Sequence, residues 1–260
     1  MCKDCGCGQP IQDEGHWHDG HFHRHDQGVK PHEHDHIHDD SHAGRTLTIE
    51  KKILSHNDEI ADKNRAWLAE RGVTAINIIS SPGSGKTYLL ERTLERLRNR
   101  VKCAVITGDQ QTDNDARRLS GKGAEVRQIE TISACHLDAE RVGKLLPEIV
   151  AKDVKLLFIE NVGNLVCPAA FDLGENFKIA LLSVTEGEDK PIKYPTLFSL
   201  APVTILTKID LIEHLDWDIT KCRDYLRRVH PGVFLFELSA KTGQGMDAWI
   251  DYLQKLTNPA

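Results

Sequence analysis

A chain of 260 residues with 40% hydrophobic and 28% charged side chains is long enough to bury one α/β domain with an appendage, and its balance is that of an ordinary soluble protein. Its net charge of -6 lies within residues 1-44, where 3 Lys/Arg meet 9 Asp/Glu; the other 30 basic and 30 acidic residues cancel, so no basic excess points to nucleic acid. No apolar run approaches the roughly 18 residues that span a bilayer, and Met1-Cys2-Lys3-Asp4-Cys5 lacks the apolar stretch of a signal peptide, so a cytoplasmic chain away from membranes is expected.

The chain opens on three thiols, Cys2, Cys5 and Cys7, among an odd total of 7 cysteines. In a chain without an export signal, that clustering reads as metal-binding thiolates, suited to Ni²⁺ or Zn²⁺, rather than as a disulfide framework. Ten of the 14 histidines follow between His16 and His42, interleaved with Asp, Glu and Gly. So few aliphatic residues cannot offset chain entropy, and residues 1-44 are expected to be disordered when metal-free. Imidazoles bind Ni²⁺, Cu²⁺ and Zn²⁺ without fixed geometry, so storage follows from this composition more readily than catalysis.

Order is expected from near Leu47. Apolar spacing through Ile53, Ile60, Trp67 and Leu68 predicts a helix over Glu50 to Arg71 that stops at Gly72, giving a helical segment 45-72 ahead of a domain 73-260. Apolar runs at Ala75-Ile79, Cys103-Ile106, Val154-Ile159, Ile179-Val184, Val203-Leu206 and Val233-Leu238 then alternate with helix-like stretches such as Tyr88-Arg100, Leu137-Val150 and Asp216-His230. That alternation predicts an α/β fold with a mainly parallel sheet flanked by helices.

The first predicted strand runs into Ser80-Ser81-Pro82-Gly83-Ser84-Gly85-Lys86-Thr87, with Tyr88 opening an amphipathic stretch. Strand, glycine-rich turn and helix N-terminus form the context of a phosphate-binding loop. Gly83, Ser84 and Gly85 turn amides toward phosphate oxygens, Lys86 brings charge to the β and γ phosphates, and Thr87 offers a hydroxyl to Mg²⁺. Ser80 stands where the pattern has its first glycine. Thr207-Lys208-Ile209-Asp210 at a strand end and Ser239-Ala240-Lys241 after the next strand resemble the guanine-specificity segments of GTPases, with Thr207 in place of the usual Asn. Asp210 would accept from the guanine N1 and N2 groups under the Lys208 stem. Asp109 and Glu160, each ending an apolar run, are candidates for Mg²⁺ or its waters, with Asp113 and Asp115 competing with Asp109.

Cys135-His136 and Cys167 stand in no spacing that closes a metal site, and spacing alone favours ordinary buried cysteines. Taken with Cys-x-x-Cys-Gly-Cys at the start, Gly-Asp-Gln-Gln-Thr, Cys-His-Leu-Asp, Phe-Ile-Glu-Asn-Val-Gly-Asn-Leu-Val-Cys-Pro and Ser-Val-Thr-Glu-Gly-Glu-Asp-Lys-Pro, they give a specific resemblance. The chain resembles the HypB family, the accessory GTPases that help load nickel into [NiFe]-hydrogenase, over residues 45-260 and the first eight. The resemblance implies a P-loop GTPase of the dimerising SIMIBI class that uses GTP/GDP and Mg²⁺ and forms a GTP-dependent homodimer. It also implies the nickel-insertion protein HypA and the hydrogenase large subunit as partners. Carried over, Cys2, Cys5 and Cys7 match the family's high-affinity nickel motif, and Cys135, His136 and Cys167 its metal site between subunits, with Zn²⁺ an alternative ion. Three other readings remain open: a small-molecule kinase, which has no use for Lys208 and Asp210; a nickel or zinc store with a regulatory GTPase domain; and a sibling chaperone for urease or a cobalamin enzyme.

Overall fold

The computed structural model describes the backbone of residues 15-18, 21-24, 40-109, 114-131 and 135-257, and side chains from residue 52 onward except those of Asp109 and Asn114. Cys2, Cys5, Cys7, Asp113 and the expectation of a disordered tail fall wholly or largely outside the described residues. Two compact units divide at Arg45 and Thr46. In the first, β1 (Gly15–His18) pairs antiparallel with β2 (His21–Arg24), opposing His16 to His23 and Trp17 to Phe22.

The second unit is built on a seven-stranded parallel sheet. Its strands are β3 (Thr74–Ser80), β4 (Cys103–Asp109), β5 (Ala124–Glu130), β6 (Leu156–Glu160), β7 (Phe177–Ser183), β8 (Val203–Thr207) and β9 (Phe234–Glu237), in the order β5-β4-β6-β3-β7-β8-β9. Parallel neighbours need crossovers, supplied mainly by α2 (Lys86–Leu97), α3 (Asn114–Leu119), α4 (Ala139–Ile149), α5 (Cys167–Ala170), α6 (Lys190–Lys193), α7 (Pro195–Leu200) and α8 (Ile219–Val229). α1 (Asp40–Glu70) precedes the sheet and α9 (Met246–Thr257) follows it.

Successive side chains of a strand point to opposite faces, and both faces here are covered. Ile76 and Ile78 of β3, Val105 of β4 and Phe158 of β6 pack with Leu90 and Leu94 of α2 and with Trp249 and Leu253 of α9. Their neighbours Ala75, Ala104, Ile106 and Leu157 join Leu68 of α1 and Val142 and Leu146 of α4 on the other face. Further along that chemistry repeats: Ala180, Leu182 and Leu206 meet Phe198 of α7 and Leu226 of α8. The double coverage is why these strands read as continuous apolar runs. The chain leaves β3 toward β4 and β5 and later returns to build β7, β8 and β9 on its other side, so the order reverses beside the C-terminal end of β3, where open α/β sheets place ligands.

α1 begins at Asp40, ten residues ahead of the expected Glu50, and stops as expected before Gly72. Residues 40 to 49 lack an apolar stripe to betray them, and a helix already held by packing extends at small cost per residue. Among the described residues no helix is long and apolar enough to cross a membrane.

Candidate functional site

The turn from β3 into α2 requires two residues in the left-handed region, and Gly83 (φ 75°) and Gly85 (φ 97°) occupy it, where a Cβ would be strained. A cleft of about 450 Å³ lies over this turn, lined by Gly83 to Tyr88 and by Gly108, Asp115, Arg118 and Glu160 to Gly163. Ser80, in the place of the missing glycine, has a role: its buried hydroxyl accepts from Lys86 Nζ at 2.9 Å and from the Ser84 hydroxyl. The lysine ammonium is thereby held beside the loop. Thr87 Oγ1 donates to Glu160 Oε1 at 2.6 Å, joining the first turn of α2 to the end of β6. Glu160 and Asn161 are buried. A hydroxyl and a carboxylate side by side are hard oxygen donors of the kind Mg²⁺ selects. The backbone of Asp109 ends β4, its side chain is not described, and Asp115 reaches the cleft from α3.

A second cavity of about 220 Å³ shares Ser84, Gly85 and Tyr88 with the first. Its other walls are Leu89, Thr207, Lys208, Asp210, Leu211, Ser239, Ala240 and Lys241, so the two segments expected to read the base meet there. Thr207 Oγ1 donates to the Ser84 carbonyl at 2.7 Å and ties the specificity strand to the phosphate loop. Lys208 Nζ donates to the Gly83 carbonyl at 2.7 Å, which lays the lysine stem along the loop and over the pocket. Lys208 holds φ 61° without being glycine, a conformation the surrounding bonds impose.

Cys135, His136 and Cys167 come together: their ligand atoms all lie within 4.8 Å of one another, and all three are half-buried. Cys135 Sγ is 3.7 Å from His136 Nδ1. Two sulfurs about 2.3 Å from one ion stand at most about 4.6 Å apart, so small movements suffice to close the group on a thiophilic or borderline metal. The His136 ring stacks on Phe171 at 3.8 Å. Burial, with the positive charge of Arg141 and against the opposing effect of Asp138, pushes the imidazole below its usual value, toward the neutral form that ligates. Asp138 caps α4 by accepting from Arg141 N at 2.8 Å, which sets where the Cys135-His136 segment ends. Burial instead pushes the Cys103 and Cys222 thiols up to about 12, far from metal-binding form.

The Cys135, His136 and Cys167 cluster and the phosphate cleft are joined by one stretch of backbone. Cys167 follows Glu160 by seven positions. In that loop Gly163 sits against the phosphate loop so closely that a Cβ would meet Pro82 atoms at 3.0 to 3.1 Å. Asn161 Oδ1 accepts from Leu137 N at 3.3 Å, next to His136. Sequence reasoning missed Arg118, whose guanidinium stands over the Tyr88 ring at 4.9 Å and binds Glu91; on a polar helix nothing distinguished it from its neighbour Arg117.

Comparison with known proteins agrees with this geometry. The model of the CobW/HypB/UreG nucleotide-binding domain matches residues 74–236. The hydrogenase maturation factor HypB of Escherichia coli (strain K12) is 50% identical over 210 residues, which cover 81% of this chain and 72% of that protein. The crystal structure of HypB from Archaeoglobus fulgidus superposes with a TM-score of 0.74 at 40% identity, over 79% of this chain and 100% of the other. HypB from Helicobacter pylori, solved in complex with nickel, gives a TM-score of 0.73 at 37% identity over 77% and 95%. A chain with this phosphate loop and sheet, and with half of its 210 aligned residues shared with such a relative, belongs to the CobW/HypB/UreG family and, within it, to the hydrogenase maturation factors HypB.

Proposed function

We propose that the chain hydrolyses GTP and uses the cycle to bind nickel and hand it on during maturation of [NiFe]-hydrogenase, with the His-rich segment and Cys2, Cys5 and Cys7 as a nickel-holding store. The observation that carries this reading is the single short segment from Glu160, bonded to Thr87, to Cys167, one of three clustered metal ligands. A nickel complex of a 37% identical relative supports the choice of ion. Zn²⁺ suits the same donors.

GTP sits with its phosphates on the amides of Gly83 to Thr87 and its guanine between Lys208 and Ala240, where Asp210 accepts from N1 and N2. Mg²⁺ would be held by Thr87, with Glu160 and Asp109 beside it, and supplies charge neutralisation at the phosphates. Lys86 and the loop amides stabilise the negative charge that builds as water attacks the γ phosphorus and the bond to the β–γ bridging oxygen breaks, leaving GDP and phosphate. Closure of the Asp109 and Glu160 loops on the γ phosphate moves Cys167 relative to Cys135 and His136, and hydrolysis reverses that shift. A GTP-dependent homodimer, HypA, the hydrogenase large subunit and a cytoplasmic setting complete the reading, all on family grounds.

The test is a nickel titration of a chain lacking residues 1-39, with GDP or with a non-hydrolysable GTP analogue. A nucleotide-dependent affinity that disappears in Cys167→Ala upholds the coupling. Identical affinities with both nucleotides overturn it and leave a GTPase carrying an independent metal store.

A further inference from the structure

Asn57 and Asn64 stand seven residues apart on the same stripe of α1 as Ala61 and Leu68, and all four are buried. Buried amides on an apolar stripe cost stability unless their hydrogen bonds are made. These are made, and to one kind of partner: the two backbone segments that follow the metal ligands. Asn57 Oδ1 accepts from Ala139 N at 2.9 Å, and its Nδ2 donates to the Asp172 carbonyl at 2.7 Å. Asn64 Nδ2 donates to the Ala139 carbonyl at 2.8 Å and to the Leu173 carbonyl at 3.1 Å. Ala139 lies three residues after His136, and Asp172 five after Cys167.

Each asparagine therefore bridges the Cys135-His136 segment to the Cys167 segment, beside the Phe171 ring stacked on His136 and the Leu137 amide bonded to Asn161. The amide of Ala139 belongs to the first turn of α4 and has no partner within that helix, so Asn57 satisfies a donor that would otherwise be orphaned. Space is reserved for the second bridge: a Cβ on Gly143 would stand 2.5 Å from Asn64 Oδ1.

We infer that Asn57 and Asn64 are positioning residues for the Cys135, His136 and Cys167 metal site, setting the separation of its two halves from outside the ligand set. The inference rests on the proposed reading of those three residues as ligands. Outer partners that orient ligands are worth about 10- to 100-fold in metal affinity.

The experiment uses the full chain with Cys2, Cys5 and Cys7 changed to Ser, titrated with Ni²⁺ alone and followed by thiolate-to-nickel charge-transfer absorption, to which tail imidazoles do not contribute. Cys135→Ser with Cys167→Ser tests the underlying reading: if the absorption survives that change, the ligand assignment falls. If it is abolished, the asparagines are then tested. Asn57→Ala and Gly143→Ala are each expected to weaken the absorbing site about tenfold or more and to alter its spectrum, while GDP affinity stays near that of the parent even as the lost buried bonds lower the thermal midpoint. Asn57→Asp, which keeps the acceptor for Ala139 N, is expected to fall between, and it serves if Asn57→Ala does not fold. Unchanged nickel affinity and spectrum in these variants overturn the inference, as does a loss of nickel binding only in step with loss of GDP binding.

Discussion

At the scale of the residue, two departures from familiar motifs turn out to be working parts. Ser80 receives the Lys86 ammonium, and Thr207 anchors the phosphate loop through the Ser84 carbonyl. Both motifs were legible because their chemistry is local: a few consecutive residues carry the phosphate cradle, and a few more the candidate base pocket. The substitution's consequence was not legible, since the partner of Thr207 lies 123 positions away in sequence. Thr207→Val keeps the shape and removes the buried donor. It is expected to cost about 1–3 kcal/mol in urea unfolding and to weaken GDP binding, whereas Thr207→Ser keeps both near the parent. Equal GDP affinity for Val and Ser would show that the tether does not organise the loop.

At the scale of the element, the apolar runs marked six strands of the sheet and missed β5, whose edge position leaves Glu125, Arg127 and Glu130 exposed among buried and partly buried neighbours. α9 also escaped, although Met246, Trp249, Ile250 and Leu253 carry a helical stripe, and it supplies much of one face's core. The junction of α1 with the loop after α5 has a pH signature. Arg65 pairs with Asp172, and Asp172 Oδ1 accepts from Gly174 N at 2.9 Å. Burial acts to raise the Asp172 carboxyl, but the Gly174 amide and the Arg65 guanidinium outweigh it and hold the group below its usual value. A depressed carboxylate stabilises the fold above its unfolded value of about 3.9 and ceases to as pH falls through the lower folded value. Asp172→Asn should therefore cost up to about 1 kcal/mol at neutral pH, a small figure because both partners are about a third exposed, and nothing once the carboxyl is protonated. Urea midpoints of the two proteins across that range check it; a constant difference at every pH removes the ion pair as the cause.

At the scale of the whole molecule, the division at Arg45 and Thr46 separates a His-rich unit from the sheet and its site. The sheet unit has its own core on both faces. Removing residues 1-39, ahead of the first residue of α1, is expected to leave GDP affinity and the unfolding midpoint near those of the full chain while lowering the number of Ni²⁺ ions bound by several. Equilibrium dialysis counts the ions and calorimetry gives the midpoint. An unchanged nickel count would exclude storage by the segment, and a lost GDP site would show that the units are interdependent.

By itself the sequence determined the layered α/β class, the phosphate loop and the composition of the tail, and it marked two candidate base-reading segments, because each is carried by neighbouring residues or by short-range periodicity. Only the tertiary structure decided the rest. Cys167 meets Cys135 and His136 because parallel strands release the segments that follow them at the same, C-terminal, end of the sheet. Two asparagines on α1 read as ordinary helix polarity until packing buried them and turned their amides onto both halves of that group. Hydrogen bonds between residues so far apart leave no periodic trace in the chain, since what selects them is the cost of burying an amide unpaired.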